Sequence, residues 1–503
     1  MKIRITSTSN TPISIPSCSA DIPPDYMNSW IPTVSLEEMS KKDYDVIIVG
    51  SGAGGGAVLW RLCEKWKKLG KRIGMVEAGD ALLPTHAFNI ATMNGEREEM
   101  YFKNPKISEL IGVKLPDFAG ARLFTVLGGR TLFWGAICPR MHPSEFHKWP
   151  ITAEEMDLYY NIAEEEMNIT SLYTDNSLYT EVMLDRLRTN GFTEATPIPV
   201  AANLQATQYG EIQSNVFFSS IVFLGRALNQ CAFDLAVKSR AVQIFTQKNK
   251  VTGVKVMSAD KKPYVLKAKN VVLSTSTLQT PRLLLHSGIF GRAIGHYLTN
   301  HSKLTAGGVI SRKEFPELLG ALGILLPYSR EKLYQIQVSG DFWNQAKEKR
   351  LQDELLIMLE GFGNVESRYE NKVYLDPYQL DEYGIPEIRV NFSYSEQDKT
   401  VILHLAEALK QVSSVIGAKL VTRNSVSGIC LEPPGRPYHD SGTCRMGDDP
   451  LTSATNRYGQ IHGISGLYVA DNSVLPSGGA ANPTLTTVAL AIRTADYIAN
   501  HRE

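Results

Sequence analysis

The chain has 503 residues, with 52 basic and 52 acidic side chains, so its formal net charge at pH 7 is zero. A nucleic-acid-binding protein usually shows a basic excess, and a polybasic membrane anchor needs one, so the balance argues against both. Apolar residues make up 43% and charged residues 21% of the chain, which is typical of folded globular proteins. The length corresponds to about three domain-sized units, or to one large enzyme with an interrupted domain.

The distribution of cysteine and histidine gives no sign of a metal centre. The six cysteines are scattered and include no Cys-x-x-Cys pair, so we expect reduced and mostly buried thiols. His142 and His147 stand five apart beside Pro143, which is not a ligand spacing on a helix. No metal site is predicted.

The N-terminal region shows no targeting or membrane signal. Residues 1–30 are rich in Ser, Thr and Pro and lack the apolar segment of a secretory leader. The most apolar stretches, such as residues 319–328, are far shorter than the roughly 20 residues that cross a bilayer. We therefore expect a cytoplasmic protein without a membrane or nucleic-acid partner.

Regular structure is predicted to begin after residue 42. Prolines between positions 12 and 32 would interrupt any helix, so residues 1–42 are expected to form an irregular N-terminal arm. The β-branched run at 45–49 predicts a buried parallel strand. A glycine cluster, a helical pattern from Val58 to Leu69 and a second strand at 72–76 follow. This order predicts a βαβ unit.

The glycine cluster contains Gly50-x-Gly52-x-x-Gly55, the pattern of a dinucleotide-binding turn. Gly50 allows the tight turn, Gly52 lets the backbone approach a pyrophosphate, and Gly55 lets the helix pack on the strand. The free N–H groups of the helix N-terminus would face the anion. Glu77 ends the second strand, where its carboxylate could accept hydrogen bonds from ribose hydroxyls. The motif does not separate NAD from FAD, and a glycine-rich turn that binds nothing is the alternative.

Later segments alternate between strand and helix patterns. Short strands are expected over 233–275, and a helix near 280–285 follows them. Residues 400–416 form an amphipathic helical pattern. The chain ends with a strand at 467–470 and a helix at 483–500.

Two C-terminal features are candidates for chemistry. Asn482 is a good N-cap and Pro483 suits the first helical position, so the last helix would present its positive end to a ligand. A core helix that binds nothing is the alternative. His439 lies in a loop of glycines and small polar residues, where an imidazole with a pKa near neutrality suits general base catalysis. Most histidines have no such role.

Six motifs occur together in one order along the chain. They are Gly50-x-Gly52-x-x-Gly55 with Glu77, Gly128-Gly129-Arg130-Thr131, Thr280 to Gly288, His439-x-x-Gly442-Thr443-Cys444-Arg445-Met446-Gly447, Gly466 to Asp471, and Asn482-Pro483-Thr484. The set resembles the glucose–methanol–choline (GMC) family of FAD-dependent alcohol oxidoreductases. The resemblance extends over residues 43–503, and its C-terminal block is the most specific part.

The resemblance implies an α/β fold in two parts. A doubly wound, Rossmann-like FAD-binding domain would comprise residues 43–150, 201–300 and 426–503. A substrate-binding cap, built on an antiparallel sheet, would comprise residues 151–200 and 301–425.

The resemblance also implies roles for individual residues. The Gly50 turn and Glu77 would hold the ADP half of FAD, and the backbone at Val242 would meet the adenine. His439 matches the active-site base and Asn482 matches its partner. The cofactor-binding residues implied in this way are Gly50, Ser51, Gly52, Gly55, Glu77, Gly128, Gly129, Thr131, Val242, Asp471, Asn482 and Thr484.

Two positions depart from the pattern of the family. Phe133 occupies the place where some relatives link FAD covalently through a histidine, so non-covalent FAD is expected. Arg130 is bulky where many relatives have a small residue. The sequence Phe133-Trp134-Gly135 is similar to bacterial sugar-oxidising members.

The implied reaction removes hydride from a hydroxyl-bearing carbon to give an aldehyde or ketone, with oxygen or another acceptor reoxidising the flavin. The expected substrate is a small polar alcohol of sugar, cyclitol or aminoglycoside type. Acidic residues of the cap could meet amino groups, although they could equally form a solvated face; they are Glu360, Glu366, Asp376, Asp381 and Glu382. An NAD-dependent dehydrogenase, a non-redox FAD-binding lyase and a pure binding module are the alternatives.

Overall fold

The structure of the chain is a computed structural model. It describes residues 2–5, 13–16, 30–204, 216–315, 320–340, 353–421 and 428–501. Residues 1–33 and 34–503 form two separate compact units. Among the described residues, no helix is long and apolar enough to cross a membrane.

The strands of the described residues are numbered in chain order. They are β1 (Lys2–Ile5), β2 (Ile13–Pro16), β3 (Asp43–Val49), β4 (Ile73–Val76), β5 (Ser108–Glu109), β6 (Leu123–Phe124), β7 (Ile169–Thr170), β8 (Thr196–Pro197), β9 (Val200–Ala201), β10 (Asp234–Ala236), β11 (Arg240–Gln247), β12 (Lys250–Met257), β13 (Pro263–Leu273), β14 (Ser302–Ser311), β15 (Gly323–Leu326), β16 (Tyr334–Ser339), β17 (Glu354–Gly363), β18 (Lys372–Leu380), β19 (Pro386–Asn391), β20 (Lys419–Leu420), β21 (Ile429–Leu431) and β22 (Leu467–Val469).

The α-helices are numbered in the same way. They are α1 (Leu36–Ser40), α2 (Ala53–Trp66), α3 (Gly95–Lys103), α4 (Ala153–Met167), α5 (Leu178–Thr189), α6 (Ile221–Leu228), α7 (Gln279–His286), α8 (Glu396–Ile416) and α9 (Thr484–Asn500).

A mixed sheet, here called the cofactor sheet, carries the predicted βαβ unit. Its strands run in the order β10-β4-β3-β13-β12-β11, with β22 pairing with β13. The pairs β10–β4, β4–β3, β3–β13 and β13–β22 are parallel, whereas β11, β12 and β13 form an antiparallel meander. The parallel strands are almost completely buried, as their β-branched composition predicts. The α/β fold class is confirmed.

A second sheet, here called the cap sheet, is antiparallel throughout. Its order is β20-β14-β17-β16-β15-β8, and β21 also pairs with β14. One face packs against α8 and α5 around a core that includes Leu304, Ile336, Leu359 and Leu405. The other face of the same strands therefore carries the alternating residues, which are available to a site. The domain boundaries predicted from sequence stay predictions.

The N-terminal region differs from the expected irregular arm. Strands β1 and β2 pair antiparallel in register Lys2 to Pro16, and helix α1 follows at Leu36–Ser40. Pro16 did not prevent this pairing, because it is the last residue of β2 and a proline is tolerated at a strand end. Ser35 caps α1, accepting from the N–H of Glu38, in a capping box that the sequence analysis overlooked. Helix α2 also ends at Trp66, so Leu69 is exposed rather than on its buried face.

Candidate active site

A cavity of about 570 Å³ opens where the parallel strands of the cofactor sheet end. Val49, Val76 and Ser274 line it at the carboxyl ends of β3, β4 and β13. Ligands of open α/β sheets bind at this edge, because strand ends and helix N-termini converge there. The N-terminus of α2 lies on the same edge, as Gly50 to Gly54 belong to the lining.

The glycine turn is built for close approach of the backbone. Gly50 has φ +97°, and a Cβ on it would lie 2.3 Å from the Ser274 carbonyl oxygen. A Cβ on Gly55 would lie 2.0 Å from the Gly50 oxygen, so α2 packs on the turn as predicted. A Cβ on Gly52 would meet nothing within 4 Å. The space beside Gly52 and the free N–H groups of α2 fit a pyrophosphate.

A glycine is also required at position 54, which the sequence analysis did not predict. A Cβ there would lie 1.8 Å from the carbonyl oxygen of Ala470, just after β22. Ala470 is more than 400 residues distant along the chain, so no local pattern reveals this contact. The glycine allows α2 to pack against the far end of the sequence.

Glu77 is buried and bonded to the turn itself. Its Oε2 accepts hydrogen bonds from the Ser51 N–H at 3.0 Å and the Ser51 hydroxyl at 2.7 Å. Its Oε1 accepts from the Gly79 N–H at 2.8 Å. Burial raises the pKa of Glu77, while the bonds from Ser51 and Gly79 act in the opposite direction. Glu77 thus orders the turn, which adds a role to the predicted bond with ribose.

The second glycine motif is tied to the first through hydroxyl groups. The Gly128 N–H donates to Ser51 Oγ at 2.9 Å. Thr131 Oγ1 donates to the Gly128 oxygen at 2.6 Å and accepts from the Ser220 N–H at 2.8 Å. Ser220 Oγ donates to the Ser51 oxygen at 2.8 Å. Ser220 was not predicted from sequence, because an isolated serine carries no motif.

Asp471 joins three segments at the cavity. Its Oδ1 accepts from the Ser473 N–H at 2.9 Å. Its Oδ2 accepts from the Ser276 N–H at 3.0 Å and from Thr280 Oγ1 at 2.6 Å. Burial raises the pKa of Asp471, and these hydrogen bonds oppose the rise. Asp471 belongs to the lining of the cavity.

Val242 does not belong to the cavity lining. It is buried in β11, while Ser239, Arg240 and Ala241 line the cavity at the start of that strand. The expected contact between the Val242 backbone and the adenine therefore stays a prediction.

His439 is half-buried and contacts a second histidine. Its Nδ1 lies 2.9 Å from Nδ1 of His301, which is buried. The Phe362 ring packs on it with centroids 5.4 Å apart. Burial lowers the pKa of His439 well below its usual value, and the charges of Lys303 and Arg130 act in the same direction. The expected near-neutral pKa is wrong for this reason, so the ring is neutral at pH 7.

Asn482 does not act as the expected N-cap of α9. Pro483 occupies the N-cap position of α9, which has no side-chain cap. The Asn482 Oδ1 instead accepts from Gln335 Nε2 at 2.8 Å and from Gln337 Nε2 at 2.6 Å. Both glutamines are buried in β16. Because alternate residues of a strand share a face, the two side chains converge on one amide oxygen.

The segment before Asn482 is held by a buried acid. Glu145 Oε1 accepts from the Ala480 N–H at 3.1 Å, and its Oε2 accepts from the His142 N–H at 2.8 Å. Burial raises the pKa of Glu145 to about 7. The sequence analysis missed this residue, because its partner is 335 positions away.

Arg130 has partners other than a cofactor. Its guanidinium donates to the Tyr438 carbonyl oxygen and lies 3.6 Å from Asp440. It also lies over the rings of Phe124 and Tyr438. The bulky side chain is thereby directed to both neighbours of His439, which accommodates this departure from the family pattern.

Most of the acidic residues considered for amine binding are already paired. Four of the five form ion pairs: Glu360 with Lys303 at 2.5 Å, Asp376 with Arg389 at 2.7 Å, Asp381 with Arg282 at 2.9 Å, and Glu382 with Lys261 at 3.2 Å. These pairs reduce the negative charge that a cationic substrate would meet.

The structure brings most of the predicted residues to one cavity. The predicted residues in its lining are Gly50, Ser51, Gly52, Glu77, Gly129, Thr131, Asp471 and Thr484. The predicted residues outside it are Gly55, Gly128, Val242, His439 and Asn482. Tyr438 and Asp440 do line the cavity, so His439 lies beside it.

Comparison with models of protein families identifies the family of this chain. Residues 44–303 match the N-terminal GMC oxidoreductase model, and residues 367–491 match the C-terminal GMC oxidoreductase model. The chain belongs to the GMC oxidoreductases. The two matched segments contain the glycine turn and the His439–Asn482 region, respectively.

Relatives of this GMC oxidoreductase are distant but extend over most of its length. A 2-methyl-1,2-propanediol dehydrogenase of Mycolicibacterium austroafricanum is 26% identical, over 90% of this chain and 95% of its own. A paromamine 6'-oxidase of Streptomyces fradiae is 23% identical, over 91% of both chains. The crystal structure of pyridoxine 4-oxidase from Mesorbium loti matches 92% of this chain and 100% of its own, with 17% identity and a TM-score of 0.68.

Family membership settles the general activity and the cofactor. This GMC oxidoreductase is an FAD-dependent enzyme that acts on CH–OH groups. The residues present fit FAD, since the turn leaves open space at Gly52 beside the N-terminus of α2. When bound, FAD supplies the acceptor for hydride.

Proposed function

We propose that this GMC oxidoreductase oxidises a hydroxyl group of a small polar molecule of sugar, cyclitol or aminoglycoside type to an aldehyde or ketone. His439 is the base, and Asn482 binds the same substrate oxygen. Oxygen or another acceptor completes the turnover. FAD is held without a covalent link, because Phe133 has no nucleophilic atom.

The contacts of His439 and Asn482 with one row of the cap sheet support the proposal. Phe362 packs on His439, and Gln335 donates to Asn482. Phe362 and Gln335 are register partners on β17 and β16. The two candidate catalytic groups therefore lie beside neighbouring positions of the same sheet.

The chemistry of each group suits its proposed part. His439 is neutral at pH 7, because burial lowers its pKa, so it offers a lone pair to a hydroxyl proton. Asn482 uses Oδ1 for the two glutamines, which leaves its Nδ2 hydrogens to donate to the substrate oxygen. Holding that oxygen at two points would orient the carbinol C–H.

The open face of the cap sheet carries hydrogen-bonding groups that suit a hydroxylated substrate. Lys303 and Thr305 of β14 lie opposite Phe362 and Glu360 of β17 in the sheet register. Gln337 of β16 also pairs with Glu360. The Lys303–Glu360 ion pair cancels the charge of this surface and leaves donors and acceptors for hydroxyl groups.

Stopped-flow reduction of the bound flavin tests the proposal. A panel of D-glucose, myo-inositol, paromamine and 2-methyl-1,2-propanediol is mixed anaerobically with the holoenzyme. His439→Ala is expected to keep its FAD and lose at least ~10²-fold in reduction rate, the usual scale for a general base. His404→Ala, which removes an exposed histidine of α8, is the matched control and should match wild type.

Two results would contradict the proposal. Full-speed reduction in His439→Ala would remove the assigned base. A flavin that no alcohol of any class reduces would favour the alternative of a non-redox FAD-binding lyase on the same scaffold.

A further inference from the structure

His301 lies within hydrogen-bonding distance of His439 and comes from a different part of the chain. The two Nδ1 atoms lie 2.9 Å apart, and the rings meet edge to face at 79° with centroids 4.8 Å apart. His301 precedes β14 and is 1% exposed. Its Nε2 lies 3.3 Å from the carbonyl oxygen of Gly478, in the segment that leads to Asn482.

The Gly478 carbonyl decides which nitrogen of His301 carries hydrogen. A carbonyl oxygen can only accept, so His301 Nε2 must be the protonated nitrogen. Burial lowers the pKa of His301 to about 4, so the ring is neutral near pH 7 and carries one N–H. Its Nδ1 is therefore a bare lone pair that can only accept.

The short contact between the rings then determines the state of His439. Two nitrogens 2.9 Å apart need one hydrogen between them, and His301 Nδ1 has none to give. The hydrogen must belong to His439 Nδ1. Because His439 is also neutral, its Nε2 is left bare, and Nε2 has no hydrogen-bond partner in the described part of the chain.

We propose that His301 is a positioning residue for alcohol oxidation: it accepts the Nδ1 hydrogen of His439 and so presents Nε2 of His439 as the basic atom. The inference rests on the proposed role of His439 as the base. A histidine whose other ring nitrogen is fixed by a hydrogen bond is held in both tautomer and orientation. Through Gly478, the same contact connects the base to the segment that precedes Asn482.

Two substitutions separate the hydrogen bond from the shape of the side chain. In His301→Asn, the amide oxygen can occupy the place of Nδ1 and accept from His439. His301→Leu keeps a branched side chain of similar width but offers no acceptor. His296→Leu is a control, since His296 is a half-buried histidine bonded to the Tyr369 carbonyl and not to His439.

The direct measurement is the ¹⁵N NMR spectrum of the FAD-loaded enzyme labelled at histidine, with His439 signals assigned from a His439→Gln sample. We expect wild type and His301→Asn to show His439 with hydrogen on Nδ1. His301→Leu should show a mixture of both tautomers. Flavin reduction by the fastest alcohol of the panel should fall about tenfold in His301→Leu and stay within about threefold in His301→Asn, a modest part of the full effect of a base.

A wild-type His439 with hydrogen on Nε2 would overturn the inference, as would His301→Leu with the wild-type tautomer and rate. If His301→Leu loses FAD or melts at a lower temperature, the tautomer of His439 in the wild-type enzyme tests the inference by itself. Hydrogen on Nδ1 of His439 would then support the inference, and hydrogen on Nε2 would overturn it. If the proposed role of His439 as the base is wrong, a different experimental result is expected. In that case His439→Ala would reduce its flavin at full speed, whatever the tautomer.

Discussion

Ser51 donates two hydrogen bonds to Glu77, one from its backbone N–H at 3.0 Å and one from its hydroxyl at 2.7 Å. The same hydroxyl oxygen accepts from the Gly128 N–H at 2.9 Å. One serine side chain therefore connects the glycine turn, the acid at the end of β4 and the second glycine loop. The Glu77 carboxylate is oriented by the protein before any ribose arrives.

Ser51→Ala is expected to weaken FAD binding. The substitution removes the bridge and leaves buried partners unpaired, which costs about 1–3 kcal/mol. Since 1.4 kcal/mol is tenfold in affinity, the Kd of FAD should rise by about 5-fold to 150-fold. Titration of the apoenzyme followed by flavin fluorescence measures this, with Ser258→Ala, on the exposed β12–β13 turn, as control. An unchanged Kd would show that the bridge does not order the site.

Gly52→Ala and Gly54→Ala should fail in different ways. A Cβ on Gly52 meets nothing within 4 Å, so the apoenzyme should keep its Tm but lose FAD affinity, because the methyl group fills the cofactor space. A Cβ on Gly54 would lie 1.8 Å from the Ala470 oxygen, so Gly54→Ala should lower the Tm of the apoenzyme.

Apoenzyme melting curves and FAD titrations distinguish the two variants. Gly225→Ala serves as control, because a Cβ on this helical glycine also meets nothing within 4 Å and Gly225 is outside the cavity lining. Equal Tm losses in the Gly52 and Gly54 variants would contradict the packing argument.

The double variant Gln335→Leu/Gln337→Leu should slow the reaction while keeping FAD. Both Nε2 groups donate to Asn482 Oδ1, so without them the amide can rotate and present its oxygen to the substrate. We expect flavin reduction to fall about tenfold, within the range for lost orientation of a reacting group. Gln379→Leu, on the exposed end of β18, is the control. A wild-type rate in the double variant would count against an oriented Asn482.

His86 should make the fold sensitive to acid. Its Nε2 donates to the Trp134 oxygen at 3.0 Å and its Nδ1 accepts from the Phe88 N–H at 3.1 Å. Burial lowers the pKa of His86 from 6.5 to about 4. Between these values the unfolded chain binds a proton that the native protein does not. Stability is therefore fully present above pH 6.5 and is lost as the pH falls towards 4, by on the order of 3 kcal/mol.

The comparison of Tm at pH 7.5 and pH 4.5 tests this contribution. His86→Asn keeps an acceptor for the Phe88 N–H but does not titrate, so its Tm should fall less between the two pH values than that of wild type. Its Tm at pH 7.5 should be lower, because the bond to Trp134 is lost. An equal fall in both proteins would assign the acid sensitivity to other groups.

Local pattern predicted the framework of the fold well. The βαβ unit is found as β3, α2 and β4, and the last helix begins one residue after its expected start. Only short strands were expected over 233–275, but residues 263–273 form one long strand, β13, because β12 pairs with its first half and β22 with its second half. The register of neighbouring strands decided this, and a single segment does not contain it.

The sequence by itself determined the family, the cofactor turn and the identities of His439 and Asn482 as candidates. The cofactor turn follows from residue spacing within a short segment, where steric and hydrogen-bonding rules act locally, whereas the family and the roles of His439 and Asn482 follow from the resemblance of the motifs. Only the tertiary structure shows which residues form hydrogen bonds with His439 and Asn482. His301 lies 138 positions from His439 along the chain, and Gln337 lies 145 positions from Asn482. The sequence around a polar residue does not identify its hydrogen-bond partner when the contact forms only after two sheets have packed. The protonation and orientation of the candidate catalytic groups are therefore properties of the fold.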